Sequence, residues 1–433
     1  MGNIVAIVGR PNVGKSTLFN RLVQRREAIV DAVSGVTRDR NYGKSEWNGR
    51  TFSVIDTGGY ILGSDDVFEA EIDKQVELAI DEADVIIFMV DVESGVTGMD
   101  NDVADLLRKA KKPVFLAVNK VDSSMRESDA AEFYALGLGD YYTIASISGS
   151  GTGDLLDAVV EALPKQDEPE EDELPRFAVV GRPNAGKSSF INALIGEERY
   201  IVTDIAGTTR DAVDTRYKGF GFEFNLVDTA GIRKKSRVSE DLEFYSVMRS
   251  VRAIEHSDVC ILIVDATRGF EGQDQSIFWL AEKNKKGIVI LVNKWDLVEK
   301  KMAMEEYRRM VYERIPHTKF APVVFTSAKT GKNLEKILET DLRVYGQLNR
   351  RIKTPALNKV LEELLQRQSL SYQRGKRINI LYTNQVKTMP PTFVLFTNFP
   401  ELIPEHYKRY LENSLREKYG FIGAPIRLLF RKK

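Results

Sequence analysis

The chain has 433 residues, enough for two or three domains that each bury a core. Hydrophobic residues make up 43% and charged residues 29%, as in an ordinary globular protein, and a single cysteine, Cys260, excludes an intrachain disulfide or a cysteine-rich metal site. The net charge of −1 is unevenly spread: residues 351–433 hold 16 Lys and Arg against 6 Asp and Glu, about +10, which leaves about −11 on the rest and suggests a polyanionic partner for the C-terminal part.

From Met1 the chain passes directly into the apolar run 4–8, with no basic leader and no cleavage pattern. No apolar run approaches the roughly 20 residues that span a bilayer, so a cytoplasmic protein without a membrane partner is expected. Further apolar, β-branched runs follow at 52–55, 85–90, 114–118 and 142–145, separated by amphipathic helical stretches. A segment at 164–175 with three prolines and six acidic residues cannot bury a core and reads as an extended linker. A second series of runs then appears at 177–180, 223–227, 259–264, 288–292 and 323–326. Cys260 lies in one of these runs and reads as a buried strand residue. The alternation predicts an α/β fold of two tandem, doubly wound and mostly parallel sheets. Beyond a closing helix at 337–348, the chain shows a helix at 355–368, strands at 377–383 and 392–397, a helix at 405–419 and a strand at 426–430, a small α+β domain. The expected domains are therefore 1–163, a linker at 164–175, 176–350 and a basic domain at 351–433.

The two series are copies. Gly9-Arg-Pro-Asn-Val-Gly-Lys-Ser16 returns as Gly181-Arg-Pro-Asn-Ala-Gly-Lys-Ser188, 172 residues later. Gly35-Val-Thr-Arg-Asp39 and Asp56-Thr-Gly-Gly59 return at the same offset as Gly207-Thr-Thr-Arg-Asp211 and Asp228-Thr-Ala-Gly231, and Asn119-Lys-Val-Asp122 returns at 174 as Asn293-Lys-Trp-Asp296. Each first motif matches the P-loop, between a strand and a helix. Its backbone N–H groups suit phosphates, with Gly9, Gly14, Gly181 and Gly186 permitting close approach. Lys15 and Lys187 are expected to reach the β- and γ-phosphates, and Ser16 and Ser188 to ligate Mg²⁺, with Thr17 and Ser189 beside them in the nucleotide site. Asp56 and Asp228 are expected on the metal, Gly59 and Gly231 on the γ-phosphate through N–H, and Thr37 and Thr209 on both.

Asp122 and Asp296 can accept a bidentate pair from guanine that adenine cannot offer, which selects GTP over ATP. Asn119 and Asn293 are expected to brace the base loop, the stems of Lys120 and Lys294 to cover the ring, and the loop holding Ser327 and Ala328 to read the base through a backbone amide; the Ser146 loop of the first copy is a weaker match, so a somewhat different base contact is expected there. After DxxG stand Tyr60 and Ile232, neither of which can orient a water as glutamine does in Ras-like GTPases. Asn12 and Asn184 read equally as ligands of a monovalent cation beside the phosphates or as residues that shape the loop.

These features resemble the bacterial EngA (Der) GTPases over essentially the full length: two G-x-P-N-x-G-K-S domains, a hydrophobic residue after DxxG and a small C-terminal domain. Single-copy relatives such as Era and the tRNA-modifying MnmE carry one such domain. The resemblance implies a role in assembling the large ribosomal subunit through nucleotide-dependent binding, with ribosomal RNA as partner and no DNA. It also implies a KH-like C-terminal fold and potassium-stimulated hydrolysis; a monomer is expected. The GxxG clamp of RNA-binding KH domains is matched only by Gly420-Phe-Ile-Gly423, between a helix and a strand, so docking against the GTPase domains is expected instead of clamping. Arg374, Lys376, Arg377, Arg431, Lys432 and Lys433 are candidate RNA contacts, and Arg233-Lys234-Lys235-Ser236-Arg237 is a candidate nucleotide-coupled basic segment. The alternatives are a GTPase partner of tRNA modification or RNA processing, and a scaffold that binds GTP without hydrolysing it.

Overall fold

The computed structural model describes residues 3–27, 42–57, 76–77, 79–164, 174–195, 201–205, 214–219, 221–227, 243–316, 319–370 and 375–432. The chain divides into two compact units, 1–171 and 172–433.

In the first unit, strands β1 (Asn3–Val8), β3 (Arg50–Asp56), β4 (Val85–Asp91), β5 (Val114–Asn119) and β6 (Tyr141–Thr143) run parallel. β2 (Tyr42–Trp47) pairs antiparallel with β3, and the sheet order is β2-β3-β1-β4-β5-β6. β1 and β4 are buried at every position, as helices on both faces require of a central parallel strand. Their continuous Val and Ile runs, without polar alternation, encode that burial. Helix α1 (Lys15–Glu27) sets Leu18, Phe19 and Leu22 against Val5, Ile7 and Phe52. Helix α2 (Gly98–Lys109) starts in a capping box, in which Thr97 and Asp100 each bond the other's backbone, and it buries Val103, Ala104 and Leu107. Helix α3 (Thr152–Ala162) closes the sheet with Leu155, Leu156 and Val159.

The second unit repeats this plan with additions. β7 (Arg176–Gly181), β10 (Phe222–Val227), β11 (Val259–Asp265), β12 (Gly287–Asn293) and β13 (Val323–Phe325) are parallel. β9 (Asp214–Gly219) and β8 (Ile201–Ile205) extend the sheet antiparallel, giving the order β13-β12-β11-β7-β10-β9-β8. Helices α4 (Lys187–Ile195), α5 (Glu243–His256), α6 (Gly272–Lys283), α7 (Met304–Arg314) and α8 (Leu334–Leu348) surround it. Cys260 on β11 is fully buried, and desolvation pushes its thiol up to about 11. No described helix is long and apolar enough to cross a membrane.

The C-terminal domain comprises α9 (Thr354–Arg367), β14 (Ile380–Lys387), β15 (Thr392–Thr397), α10 (Glu405–Tyr419) and β16 (Arg427–Lys432), with the sheet order β14-β15-β16. The strand expected at 377–383 begins at Ile380 and runs on to Lys387. Two irregularities in its register and the polar Thr-Asn-Gln interior hide the alternation that marks a strand. Leu338, Val344 and Leu348 of α8 share one apolar core with Leu357, Phe393, Leu411 and Phe421. The tetrapeptide Gly420-Phe-Ile-Gly423 lies at that junction. Gly423 N–H donates to Phe320 O at 2.7 Å, and its carbonyl accepts from Ile288 N–H at 2.8 Å. Arg416 places its guanidinium 3.9 Å from the Phe320 ring centre and donates to the Phe421 and Ala424 carbonyls. Gly423 thus fastens the domain to the second GTPase sheet, while Gly420 N–H caps α10 on Arg416 O at 2.7 Å, so both glycines are engaged within the fold.

Candidate nucleotide sites

All the described motif residues lie at the C-terminal ends of parallel strands, around β1 and β7 where the chain reverses its order across the sheet. Asp56 ends β3 opposite Ile7, Asn119 ends β5 opposite Asp91, and Asn293 ends β12 opposite Asp265.

The phosphate loops are alike. Lys15 Nζ donates to the carbonyls of Gly9 (2.7 Å) and Arg10 (2.6 Å), and Lys187 Nζ to those of Gly181 (2.8 Å) and Arg182 (2.7 Å). Burial lowers Lys15 to about 8, against a partial upward pull from Asp56. Ser16 Oγ donates to Asp56 Oδ2 at 2.5 Å, and Asp56 is wholly buried. Thr17 and Ser189 are exposed on the first turns of α1 and α4, and Ser188 is half-buried beside Ser189. Asn12 and Asn184 are exposed, with φ of 66° and 60°, so each carries a left-handed turn that asparagine tolerates.

Gly14 and Gly186 need to be glycine for two reasons. Their φ values are 101° and 97°, and an added Cβ would lie 2.3 Å from Asn119 Nδ2 or 2.2 Å from Asn293 Nδ2. Each asparagine reaches past its glycine to tie the two loops together. Asn119 Nδ2 donates to Val13 O at 2.7 Å, while its Oδ1 accepts from Ser146 N and Oγ, both at 2.9 Å. Asn293 Nδ2 donates to Ala185 O at 3.0 Å, and its Oδ1 accepts from Ala328 N at 3.0 Å. Ser146 and Ala328 therefore hold equivalent places, and Ser327 matches Ala145; the Ser327 hydroxyl is buried without a partner among the described residues.

The base-side lysines are anchored at φ of 68° and 59°. Lys120 Nζ meets Asp91 at 2.6 Å and Glu93 at 3.0 Å, bonds that raise its pKa. Lys294 Nζ meets Asp265 at 2.6 Å and Asn184 O at 2.9 Å. Burial alone would raise Asp265, but bonds from Lys294 and Thr267 outweigh it and hold the carboxyl below its usual range. Asp122 is exposed and paired with Arg126 at 3.1 Å, and Asp296 is half-buried.

A family described as 50S ribosome-binding GTPases matches residues 4–120 and again 176–294, and the KH-domain-like C-terminal region of EngA bacterial GTPase enzymes matches 351–431. The chain is 67% identical to GTPase Der of Flavobacterium johnsoniae, over 100% of this chain and 99% of that one. It is 54% identical to GTPase Der of Porphyromonas gingivalis over the whole of both. Era of Aquifex aeolicus, solved with GDP·AlF4−, is similar over 60% of this chain and 93% of its own, at 19% identity and a TM-score of 0.30. The chain belongs to the Der (EngA) family of GTPases. It carries two P-loop GTPase domains and a KH-like domain, and it hydrolyses GTP.

Two pairs in this Der-family GTPase complete each site and were not singled out from the sequence. Arg10 Nε bonds the buried Asp100 at 3.3 Å, and Arg182 Nε bonds the buried Asp274 at 2.9 Å, pinning each phosphate loop to the capped start of α2 or α6. Asp91 and Asp265, which hold Lys120 and Lys294, form the other pair. All three residues recur in the second copy: Arg10 at the phosphate-loop offset of 172, and Asp91 and Asp100 at the base-motif offset of 174. Thr37, Gly59, Tyr60, Thr209, Asp228, Gly231, Ile232 and the segment 233–237 lie outside the described residues, as do Arg374 and Lys433. Among the remaining candidate RNA contacts, Lys376 sits 4.7 Å from the Phe399 ring centre, and Arg377, Arg431 and Lys432 are exposed.

Proposed function

We propose that the chain is a GTP-gated factor that binds the large ribosomal subunit or its precursor in the cytoplasm, hydrolysis timing its release. The observation that carries this reading is that both GTPase repeats match a family described as 50S ribosome-binding, in a chain whose KH-like domain bears 16 basic against 6 acidic residues between 351 and 433.

In this reading Lys15 and Lys187 leave their loop carbonyls for the β- and γ-phosphates, where an anion answers the charge that burial disfavours at Lys15. The Ser16 hydroxyl and Asp56 carboxylate, already within bonding distance, are hard oxygen donors that suit Mg²⁺, with Ser188 the counterpart in the second repeat. That ion, when bound, offsets charge on the phosphate oxygens. Asp122 and Asp296 accept from guanine, Asn119 and Asn293 hold base loop to phosphate loop, and the Ser146 and Ala328 segments present backbone amides to the base. With Tyr60 and Ile232 after DxxG, acceleration rests on the loop N–H groups, the lysine and bound cations. Potassium is the monovalent cation we assign to the phosphate edge, near Asn12 and Asn184.

Sedimentation with isolated large subunits tests the reading. Co-sedimentation with a non-hydrolysable GTP analogue but not with GDP, weakening steeply as salt rises, is the expected result. Equal binding in both states, or none in either, would refute a GTP-gated factor.

A further inference from the structure

The seam between the second GTPase domain and the C-terminal domain is open on one side. Two cavities of about 270 and 650 Å³ lie along it, and both are bounded by Pro322 and Ile422. Arg308 from α7 and Lys336 and Arg343 from α8 line the smaller one, and no carboxylate does. Lys336 and Arg343 stand seven residues apart, two turns along one face of α8, about 10 Å of helix rise. Arg308 pairs with Glu305 and lies 5.7 Å from the Phe325 ring centre, whereas neither Lys336 nor Arg343 forms an ion pair among the described residues. The larger cavity adds Lys319, next to Glu417 and to Arg416, whose guanidinium is already paired with Glu412 at 3.0 Å. On a chain with a net charge of −1, this is a local concentration of cations along a trough.

The floor of the trough is the edge strand β13, which argues against an added peptide strand. The outward carbonyl of Phe325 is already taken by Asn333 Nδ2 at 2.9 Å, so a pairing strand would lack that acceptor. A ligand with anionic groups repeated along its length fits better, held by cations on one side and free to track the seam.

We infer that this trough takes the sugar–phosphate backbone of single-stranded RNA. The inference rests on the ribosomal reading above and names a contact surface for it at Lys336, Arg343, Arg308 and Lys319. Because the trough is shared by the two domains, RNA lying in it touches the second GTPase domain and the KH-like domain together.

The test uses the full chain with a non-hydrolysable GTP analogue and a fluorescent oligouridylate of ~12 nucleotides, followed by anisotropy over a range of salt. Lys336→Glu with Arg343→Glu should weaken binding at least tenfold. The milder Lys336→Gln with Arg343→Gln should lower the salt slope by roughly 1.4, two phosphate contacts at about 0.7 each. GTP turnover and the melting temperature should not change. Lys109→Glu with Lys111→Glu, the same charge change in the first unit, should leave RNA affinity within about twofold. Unchanged RNA affinity in the trough variants, with wild-type binding to large subunits intact, would overturn the trough and leave the ribosomal reading standing. Wild-type protein that bound neither the oligouridylate nor large subunits would sink both. Tighter binding of oligoglutamate than of RNA, lost in the trough variants, would overturn the inference in favour of an acidic protein partner.

Discussion

The two GTPase repeats share their phosphate side and part company elsewhere. Lys15 and Lys187 hold the same pair of loop carbonyls, and Arg10 and Arg182 hold the same buried aspartate. On the base side, Asn119 receives two bonds from Ser146 where Asn293 receives one from Ala328, and among the described residues only the first repeat adds the Glu93–Arg126–Asp122 chain. At the closing helix, Val159 of α3 is fully buried and Asp341 of α8, its counterpart by the offset that relates Ala145 to Ser327, is too. The two repeats thus agree in the P-loop and its anchors and differ in the base loops and outer packing. The two sites should therefore share chemistry but differ in affinity.

Gly14→Ala and Gly186→Ala would break the shared half. Each added methyl displaces the asparagine that joins the two loops, so the mutated site should lose nucleotide affinity by about 100-fold or more while the other keeps its own. Calorimetric titration of each variant checks this, and a modest loss would mean that the asparagine tie is dispensable.

Asp341→Val carries the first repeat's solution into the second. Neither carboxyl oxygen of Asp341 has a hydrogen-bond partner among the described residues, and burial raises its pKa well above the ordinary value of 3.8. A group whose folded pKa is raised gives its full stability below the unfolded value and loses it as pH rises through the folded one. The substitution should thus stabilise by about 1–3 kcal/mol near neutral pH, with the gain shrinking toward pH 4. Thermal melts at several pH values read it directly. Destabilisation at neutral pH would show that the carboxyl serves the fold.

Lys15 offers a gentler probe. Its lowered pKa of about 8 means that a phosphate arriving beside it draws a proton onto the amine. At about pH 8.5, nucleotide binding to the first site should take up most of one proton, and affinity should fall as pH rises. Titrations of a Lys187→Ala protein in buffers of different ionisation heat measure the uptake; none would mean that Lys15 is charged throughout. Smallest of all, Arg126→Ala should weaken only the first site, by no more than about fivefold, since the pair is exposed.

Much of this comparison was legible in the sequence. The motif residues announced themselves by repeating at offsets of 172 and 174, and the parallel strands by unbroken β-branched runs. β2, β8 and β9 escaped because YGKSEW, IVTDI and DTRYKG mix polar residues into short segments at or next to the edge of a sheet. The service of Gly423 as a domain fastener was hidden because its partners, Phe320, Ile288 and Val344, are far away in the chain. Arg10 and Asp100 each recur in the second copy, but that they pair, 90 residues apart, shows only in the folded chain.

The most direct test of two complete, separately competent sites is equilibrium titration with a fluorescent guanine nucleotide of the wild type, Lys15→Ala and Lys187→Ala. The account predicts two resolvable sites in the wild type and one in each variant, with the two surviving affinities unlike each other and together reproducing the wild-type curve. Two sites persisting in either variant, or both sites lost to one substitution, would contradict it.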